Sequence, residues 1–408
     1  MKIVNVNAHL HTPYSFSAFE SLNQALDLAL EQEVRVVGIN DFYSMDGYEL
    51  WEQECRKRSL CPLFNIEFIG LNQQDQARGI RVNDPNNPGR TYISGKGLKC
   101  PPSLPEPFAS ELSRVRAESN AQGKAMCAKL NELLNSLQSG IRLDYGQILR
   151  EMTQGNIRER HLAKALRIKV CEAAKAGADK AEANVTAEQA RDAGGEVATK
   201  IAALFQQIFG GKALKSDIND HAAVENEIRG NLLKAGGAAF VPEDPRAFLP
   251  VDKVCNIILA AGGIPTYPFL ADDPRGGYTD FEGDLEQVAK NLRDRGFYSV
   301  EFISTRNDLH LLEKYAVYLY ELGFIVTLGS EHNSPAMEPI LLSARHGQPL
   351  SERLREINYK SACVLAAHQH LVRQGLEGYL DEDGRAHVDK REEYIKLGNQ
   401  LIRSITGQ

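Results

Sequence analysis

The sequence predicts an α/β protein that folds as a distorted (β/α) barrel. Two observations carry the prediction: short β-prone runs alternate with segments at helical spacing in the first 70 residues, and the alternation resumes after residue 250. A third is that residues 110–234 have the composition and periodicity of helices, which indicates an insertion. A chain of 408 residues with 43% hydrophobic content can bury a core of this size.

The amino-terminal part predicts a β-α-β start. Residues 3–8 are β-prone, Leu22, Leu26 and Ala29 recur at helical spacing, and residues 34–39 form a second apolar run. A helix over residues 50–58 and a strand over residues 63–68 repeat the pattern, which favours parallel strands covered by helices. Residues 72–107 are rich in Gly, Pro and Asn, so we expect a long surface excursion with one strand over residues 90–94.

The second half predicts three further helix and strand pairs: helices at 251–261, 285–295 and 309–322, and strands at 263–267, 298–303 and 324–328. We therefore expect a barrel formed by residues 1–105 and 250–345, with a mainly helical insertion over residues 106–249. Residues 346–408 are expected to form a helical tail that packs on the barrel, with a buried stripe at Leu354, Ile357, Ala362 and Leu365.

The charge and cysteine content exclude several classes of protein. The formal net charge is -7, so no global field attracts nucleic acid or an anionic membrane, and an acidic substrate must be captured locally. Seven scattered cysteines without a Cys-x-x-Cys pair indicate neither a disulfide framework nor a zinc knuckle. The amino terminus lacks the apolar stretch of a secretory signal and no segment could span a bilayer, which predicts the cytoplasm.

Polar groups follow the predicted strands, where a barrel gathers its catalytic residues. His9 and His11 end the first strand, and side chains at i and i+2 of an extended segment point the same way, so the two imidazoles can hold one ion. Two imidazoles with carboxylates from other strand ends suit Zn²⁺, Mn²⁺ or Fe²⁺. The tripeptide alone does not decide the matter, because a His-x-His pair also ends strands without binding metal.

Five segments in order resemble the motifs of the polymerase and histidinol phosphatase (PHP) family. They are His9-Leu-His11-Thr12-Pro-Tyr-Ser15, Gly38-Ile-Asn-Asp41-Phe42, Phe64-Asn-Ile-Glu67-Phe, Gly262-Gly-Ile-Pro-Thr-Tyr267-Pro268 and Leu328-Gly329-Ser330-Glu331-His332-Asn333. Arg158-Glu-Arg160-His161-Leu-Ala is similar to a segment of the family's branch of small-nucleotide phosphoesterases. The resemblance implies a distorted (β/α)7-type, TIM-like barrel and a metal-dependent phosphoesterase.

Matched by position, the resemblance implies a first metal site formed by His9, His11, Glu67 and Glu331. Family members typically hold three metals, but the other two sites have lost their ligands here. Tyr92 and Tyr267 stand where the second site needs histidines, and the third-site positions carry Phe16, Phe42 and Asn333. Phenylalanine cannot coordinate a cation and a neutral tyrosine is a poor ligand, so we expect a single divalent transition metal.

The remaining candidates have less certain roles. Asp41 could fix an imidazole tautomer, act as a general base or cap the next turn, and His332 could also manage a proton. His161, Arg158 and Arg160 could form a phosphate-binding edge or merely a solvated helix start. Tyr92 and Tyr267 are candidates to line the substrate pocket, or only to fill space that lost metals have vacated.

Two functions from different classes remain at this point. The first is a single-metal hydrolase of a small phosphorylated or nucleotide substrate, in which Asp41, His332 or His161 moves protons. The second is a PHP-like binding or assembly module with a structural metal or none, whose helical insertion contacts a protein partner. The surviving first site favours the enzyme, whereas the aromatic residues at the other ligand positions favour the module. An isomerase or amide hydrolase on a related barrel is a third, weaker alternative.

Overall fold

Strands and helices alternate along most of the computed structural model, which describes residues 2–179, 187–272 and 278–408. The strands are β1 (Asn5–Leu10), β2 (Val34–Phe42), β3 (Cys61–Leu71), β4 (Arg90–Lys96), β5 (Leu249–Pro250), β6 (Ile264–Phe269), β7 (Ser299–Ile303), β8 (Ile325–Gly329), β9 (Ser343–Ala344) and β10 (Gln348–Pro349). The helices are α1 (Leu22–Glu31), α2 (Tyr48–Lys57), α3 (Gln73–Ala77), α4 (Phe108–Ser136), α5 (Tyr145–Met152), α6 (Glu159–Asp179), α7 (Ala187–Ile208), α8 (His221–Ile228), α9 (Val251–Ala260), α10 (Leu285–Asp294), α11 (Leu309–Glu321), α12 (Glu352–Arg373) and α13 (Arg391–Thr406).

The main sheet closes into a barrel. Its strands follow the order β1-β2-β3-β4-β6-β7-β8, with the short β5 beside β3. The two ends of this path meet at a parallel bridge between Leu10 and Glu331, where His11 N donates to Glu331 O at 2.7 Å and Glu331 N donates to His9 O at 3.0 Å. The carboxyl ends of the parallel strands therefore surround one mouth, and the predicted fold class is confirmed.

One barrel strand runs against the others. β4 is antiparallel to both β3 and β6, and it pairs Arg90 with Leu71 and Ser94 with Glu67. The expectation that residues 72–107 lie on the surface is wrong for this strand, because Ile93, Ser94 and Lys96 are fully buried. The reversal brings Ser94 and Lys96 into the barrel, with both side chains on the same face of the strand.

The helices α4 to α8 build an apolar cluster of their own beside the barrel. The 29 residues of α4 make a helix about 43 Å long, which exceeds the length of any barrel strand. Asp144 and Asp220 cap α5 and α8 by accepting hydrogen bonds from the amides of Gln147 and Ala223. None of the helices in the described part of the chain combines the length and apolar character needed to cross a bilayer.

The tail packs on the outside of the barrel through α12. Its Asn358 accepts a hydrogen bond from Leu328 N at 2.9 Å and donates one to Val6 O at 3.1 Å, which ties β8 to β1. The predicted buried stripe is confirmed, because Leu354, Ile357, Ala362 and Leu365 are at most 1% exposed. The seven cysteines are free thiols, as the sequence predicted.

We predict that Gly398→Ala destabilises the protein by about 3 kcal/mol or more, at the upper end of over-packing costs. A Cβ at this position of α13 would lie 1.8 Å from the carbonyl oxygen of Cys363 in α12, so one helix must move. The matched control is Gly195→Ala in α7, where a Cβ meets nothing within 4 Å. Alanine is the better helix former, so the control should stabilise by up to about 1 kcal/mol. Equal urea midpoints for the two variants would contradict the α12 to α13 packing.

Candidate metal centre

Three buried side chains meet inside the mouth of the barrel. His9 is the fifth residue of β1, His11 follows that strand directly, and Glu67 belongs to β3. Each of the three is at most 2% exposed. Gly329 of β8 makes room for the first imidazole, because a Cβ there would lie 2.3 Å from the Cβ of His9. The strand positions and this glycine together hold the imidazoles against the carboxylate.

The ligand atoms of these residues converge on one point. The two Nε2 atoms of His9 and His11 are 3.2 Å apart, and Glu67 Oε2 lies 3.0 Å from His11 Nε2 and 3.8 Å from His9 Nε2. Ligand atoms bound to one tetrahedral zinc at the usual bond lengths are about 3.3 Å apart. The three residues therefore have the spacing of a metal-ligand group.

His9 is oriented from behind by a buried ion pair. Its Nδ1 lies 2.9 Å from Glu301 Oε2, and an ionised carboxylate only accepts, so Nδ1 carries the proton and Nε2 presents its lone pair. Lys96 Nζ lies 2.6 Å from the same oxygen, and Ser94 donates to the other oxygen of Glu301. The amide nitrogen of Asn40 is 2.9 Å from His9 Nε2, where it competes with an ion for that lone pair.

His11 is oriented by a second set of partners. Ser15 Oγ lies 3.0 Å from His11 Nδ1 and donates its own proton to Asp41 Oδ1 at 2.6 Å. The hydroxyl proton is thus already used, so His11 Nδ1 must be the donor to Ser15 and its Nε2 is left as an acceptor. Asp41 is held in turn by the amide and hydroxyl of Thr12. The geometry favours the first of the roles considered for Asp41, fixing the tautomer.

Burial sets the protonation of the three ligand residues. It lowers the pKa of His9 to about 3 and also lowers the pKa of His11, which keeps both imidazoles neutral at pH 7. Burial together with the nearby Glu301 raises the pKa of Glu67 to about 8. Glu67 Oε2 receives no hydrogen bond from the described residues, so this oxygen is electrostatically unsatisfied. Neutral nitrogens beside such an oxygen fit a divalent cation.

Burial alone would raise the pKa of Glu301 as well, but Lys96 and His9 hold it below its ordinary range. Glu301 is therefore the permanently charged carboxylate of the interior, and Lys96 is the cation that offsets it. Neither residue is in the ligand group, yet both decide which way the first imidazole faces.

Glu331 lies at the same mouth but in a different environment. Its backbone closes the barrel in the left-handed region, with φ of 66°, and the following His332 has φ of 59°. The Glu331 carboxylate forms an ion pair with Arg306, on the turn after β7, and does not belong to the ligand group. The structure thus places this predicted ligand beside an arginine at the edge of the site.

Two of the predicted proton carriers are turned away from the ligand group. His332 uses both ring nitrogens, one with Ser330 Oγ at 2.8 Å and one with Glu338 O at 2.9 Å, and its ring stacks on Phe19. His161 accepts a hydrogen bond from Arg158 N at 3.0 Å, and its ring packs edge-on against Phe16. Both histidines hold local backbone in place and neither lines the cavity described next.

A cavity of about 470 Å³ lies between the barrel mouth and the helical insertion. Its wall includes His9, Glu67, Arg306 and Glu331 from the barrel, together with Arg158 and Arg160 from the start of α6. The guanidinium of Arg158 lies 4.7 Å above the ring of Phe42, which stacks on His11 at 5.2 Å. The guanidinium of Arg160 lies 5.7 Å from the ring of Phe16. Phe16 and Phe42 are therefore each covered by an arginine.

The two candidate tyrosines have different positions. Tyr92 lines the cavity, with its ring against the edge of Phe42 at 6.4 Å. Tyr267 does not line it: its hydroxyl donates to Glu282 at 2.8 Å, and its ring packs among Phe269, Phe281 and Phe297. The cavity is lined by the next three residues of the chain, Pro268, Phe269 and Leu270, whereas Tyr267 is buried before the strand reaches the cavity.

Three residues of the site were missed at the sequence level. Glu301 lies within the predicted strand at 298–303 but was assigned no role, and neither Lys96 nor Arg306 was predicted to belong to the site. The alternation of Ser94 and Lys96 in a β-prone run could have indicated an inward-facing polar pair, because side chains two residues apart share a face. Arg306 lies in an irregular turn, and nothing in the local sequence pairs it with Glu331.

We predict that Asp41→Asn weakens zinc binding about 10-fold to 100-fold, the usual cost of losing an orienting partner. An amide at position 41 can donate to Ser15, which would then donate to His11 Nδ1 and move the imidazole proton to Nε2. Competition with a chromogenic chelator measures the affinity. Tyr267→Phe is the control, because it removes a buried hydrogen bond to Glu282 outside the site. Equal affinities of Asp41→Asn and wild type would refute the orienting role.

We also predict that the stability of the metal-free protein, prepared by treatment with a chelator, depends on pH. The pKa of Glu67 is raised from 4.5 to about 8, so its contribution is fully present below pH 4.5 and is lost as the pH rises towards 8. The buried His9 acts oppositely but only below pH 6.5. Between pH 6.5 and 8 the free energy of unfolding should fall by up to about 2 kcal/mol, because one bound proton changes it by about 1.4 kcal/mol per pH unit. Urea unfolding at several pH values measures this dependence. The free energy of unfolding of Glu67→Gln should change less with pH than that of wild type, and an identical pH dependence would contradict the assignment to Glu67.

Comparisons with known proteins agree with the fold. The sequence matches no protein-family model and no curated protein. Among solved structures, a Bifidobacterium adolescentis protein provisionally described as a metal-dependent phosphoesterase shares 14% identity with a TM-score of 0.50, over 86% of this chain and 94% of that one. An amidohydrolase from Chromobacterium violaceum, solved with sulfate and no metal, shares 15% identity with a TM-score of 0.51, over 87% and 96%. At this identity the likeness establishes the fold, which is the one that the PHP resemblance implied.

Proposed function

We propose that this protein is a metal-dependent hydrolase that cleaves a phosphoester of a small phosphorylated or nucleotide substrate with a single metal ion. The observation that carries the proposal is the convergence of three buried ligand atoms beside a cavity that His9 and Glu67 line, and whose wall also holds two arginines with no described carboxylate oxygen within 4.0 Å. An ion and an anion-binding edge in one cavity are what phosphoester hydrolysis requires.

Arg158 and Arg160 form the anion-binding edge of the cavity in this proposal. Among the described residues, Arg158 donates to the hydroxyl of Ser119 and lies over the ring of Phe42, and Arg160 donates to the amide oxygen of Asn226 and lies over the ring of Phe16. No described carboxylate oxygen lies within 4.0 Å of either guanidinium, although the charge of Glu159 acts on both at longer range. By contrast, the cavity residues Arg229 and Lys234 share Glu159. A half-buried guanidinium without a carboxylate is costly unless an anion binds there, and its fork matches phosphate oxygens.

His9, His11 and Glu67 would hold zinc, manganese or iron, since two neutral imidazoles and one carboxylate are the ligands those ions prefer. When bound, the ion would supply Lewis-acid polarisation of the scissile group and activation of water. Glu301 and Asp41 keep the two imidazoles in the tautomer that binds metal. Arg158 and Arg160 would orient the phosphate, and the packed Phe42 ring excludes water from the space between His11 and Arg158.

The comparisons support this choice without deciding it. One neighbour's description names a metal-dependent phosphoesterase, and the other neighbour binds sulfate, an anion with the shape and charge of phosphate. The second neighbour is described as an amidohydrolase, so hydrolysis of an amide is an alternative that the same metal chemistry could perform. The two carboxylate-free arginines favour the phosphoester, because an amide carries no charge for them to bind.

A second candidate is a non-catalytic module in which the barrel and the helical insertion bind a partner. The observation that favours it is the packing of Phe16 and Phe42 into positions where the resemblance expects metal ligands. In that case the arginines would bind an anionic partner surface and any metal would be structural. The two candidates differ in whether a bound ion and turnover occur together.

The test begins with metal content by elemental analysis after purification without added metal or chelator. Wild type should contain about one zinc, manganese or iron ion per chain. His9→Ala/His11→Ala should contain none, because it lacks two of the three ligands of the proposed site. Binding no metal even after reconstitution would reject the hydrolase and leave the binding module. The wild-type urea midpoint compared with that of the double variant separates loss of metal from loss of fold.

The second arm measures hydrolysis of phosphomonoesters and nucleotides, and inhibition by inorganic phosphate. Arg158→Gln should keep the metal, raise KM and weaken phosphate inhibition by about 10-fold or more, as expected for a charge-assisted contact. The matched control is Arg81→Gln, whose guanidinium binds Asp280 on the surface away from the cavity. A loaded wild type without turnover on phosphate or amide substrates would favour the binding module.

A further inference from the structure

Arg306 and Glu331 form an ion pair on the wall of the cavity, next to the three metal ligands. Arg306 comes from the turn Ser304–Arg306 at the end of β7, and Glu331 directly follows β8. The turn is fixed, because Arg345 donates through Nε to the carbonyl oxygen of Arg306 at 2.9 Å. The backbone that carries the guanidinium is therefore held in place, and the ion pair with Glu331 brings the guanidinium to the carboxylate.

The backbone of Glu331 is equally fixed. It donates to His9 O at 3.0 Å and accepts from His11 N at 2.7 Å, so this residue is bonded to the strand that carries both imidazoles. Its φ of 66° is a conformation that non-glycine residues adopt only when their surroundings impose it. With the backbone pinned, only rotation of the side chain could carry the carboxylate from Arg306 to the ligand group.

Coordination chemistry makes the position of this carboxylate important. A zinc site with four protein ligands is closed and structural, whereas a catalytic site has three protein ligands and an open position for water or substrate. His9, His11 and Glu67 are three ligands of the catalytic kind. A fourth from Glu331 would fill the open position.

We propose that Arg306 is a positioning residue that holds Glu331 off the metal and so keeps one coordination position open. The inference rests on the proposed metal site and adds to it a reason for the open position. It differs from the ligand set that the family resemblance implies, in which Glu331 is the fourth ligand.

Charge gives a second reason for this arrangement. A divalent ion with Glu67 as its single carboxylate carries a net charge of +1, but a second carboxylate would reduce that charge to zero. An anionic phosphoester is attracted by the first state and not by the second. Arg306 therefore protects both the open position and the positive charge that the proposed substrate needs.

The experiment is cobalt(II) titration of the full chain, because cobalt replaces zinc and its visible spectrum changes with the atoms that bind it. Glu331→Gln should bind cobalt within about twofold of wild type. Arg306→Gln releases Glu331 and should bind cobalt at least about tenfold tighter, the order of change that metal-site partners make, with an altered visible spectrum because a carboxylate oxygen fills the open position. Arg306→Gln/Glu331→Gln should return to the wild-type affinity and spectrum, and Arg81→Gln is the control for removing an arginine ion pair.

The opposite pattern overturns the inference. If Glu331→Gln weakens cobalt binding more than tenfold and Arg306→Gln does not tighten it, Glu331 is a ligand and the proposed hydrolase still stands. If wild type binds no cobalt, the inference and the proposed function fail together. Because Glu331→Gln leaves Arg306 in place, it decides the matter even if Arg306→Gln does not fold.

Discussion

The arrangement of the site depends on two buried imidazoles that point their unprotonated nitrogens at one place. Two facing acceptors 3.2 Å apart repel each other unless a cation lies between or beside them. Each imidazole is kept in this state by an outer acid, Glu301 for His9 and Asp41 through Ser15 for His11. The barrel supplies the two acids from different strands, Glu301 from β7 and Asp41 from β2, so the fold itself imposes the tautomers that a metal requires.

The barrel and the insertion contribute opposite uncompensated charges to the cavity. Within the barrel, the charge of Lys96 is used by Glu301, which leaves Glu67 as the carboxylate without a cation of its own. The insertion brings Arg158 and Arg160 to the other side of the cavity, where neither guanidinium forms an ion pair with a carboxylate in the described part of the chain. A metal ion would satisfy the first imbalance and an anionic substrate the second, so the cavity is complementary to both together.

The sequence predicted the parts of this arrangement that depend on local pattern. Strand alternation located the barrel strands, and the His-x-His spacing placed two imidazoles on one face because the side-chain period of a strand is two. Strand direction has no such signature, so the reversal of β4 and the entry of Lys96 into the interior were not predicted. Tyr267 was predicted to line the cavity but lies in an apolar layer beneath it, because periodicity does not tell how far along a strand the cavity begins. The pair of Arg306 and Glu331 joins two turns, and side-chain pairing between turns cannot be derived from periodicity.

Phe42 connects the two halves of the cavity physically. Its ring stacks on His11 on one side and under the guanidinium of Arg158 on the other, so packed aromatic carbon sets the distance between the proposed metal ligand and the proposed anion-binding group. An apolar ring also lowers the local dielectric, which strengthens the attraction of both the ion and the arginine for an anion between them. The phenyl ring, which cannot bind a metal, provides a fixed spacing between His11 and Arg158. In the proposed one-ion site, an arginine would then hold the substrate in place of a further cation.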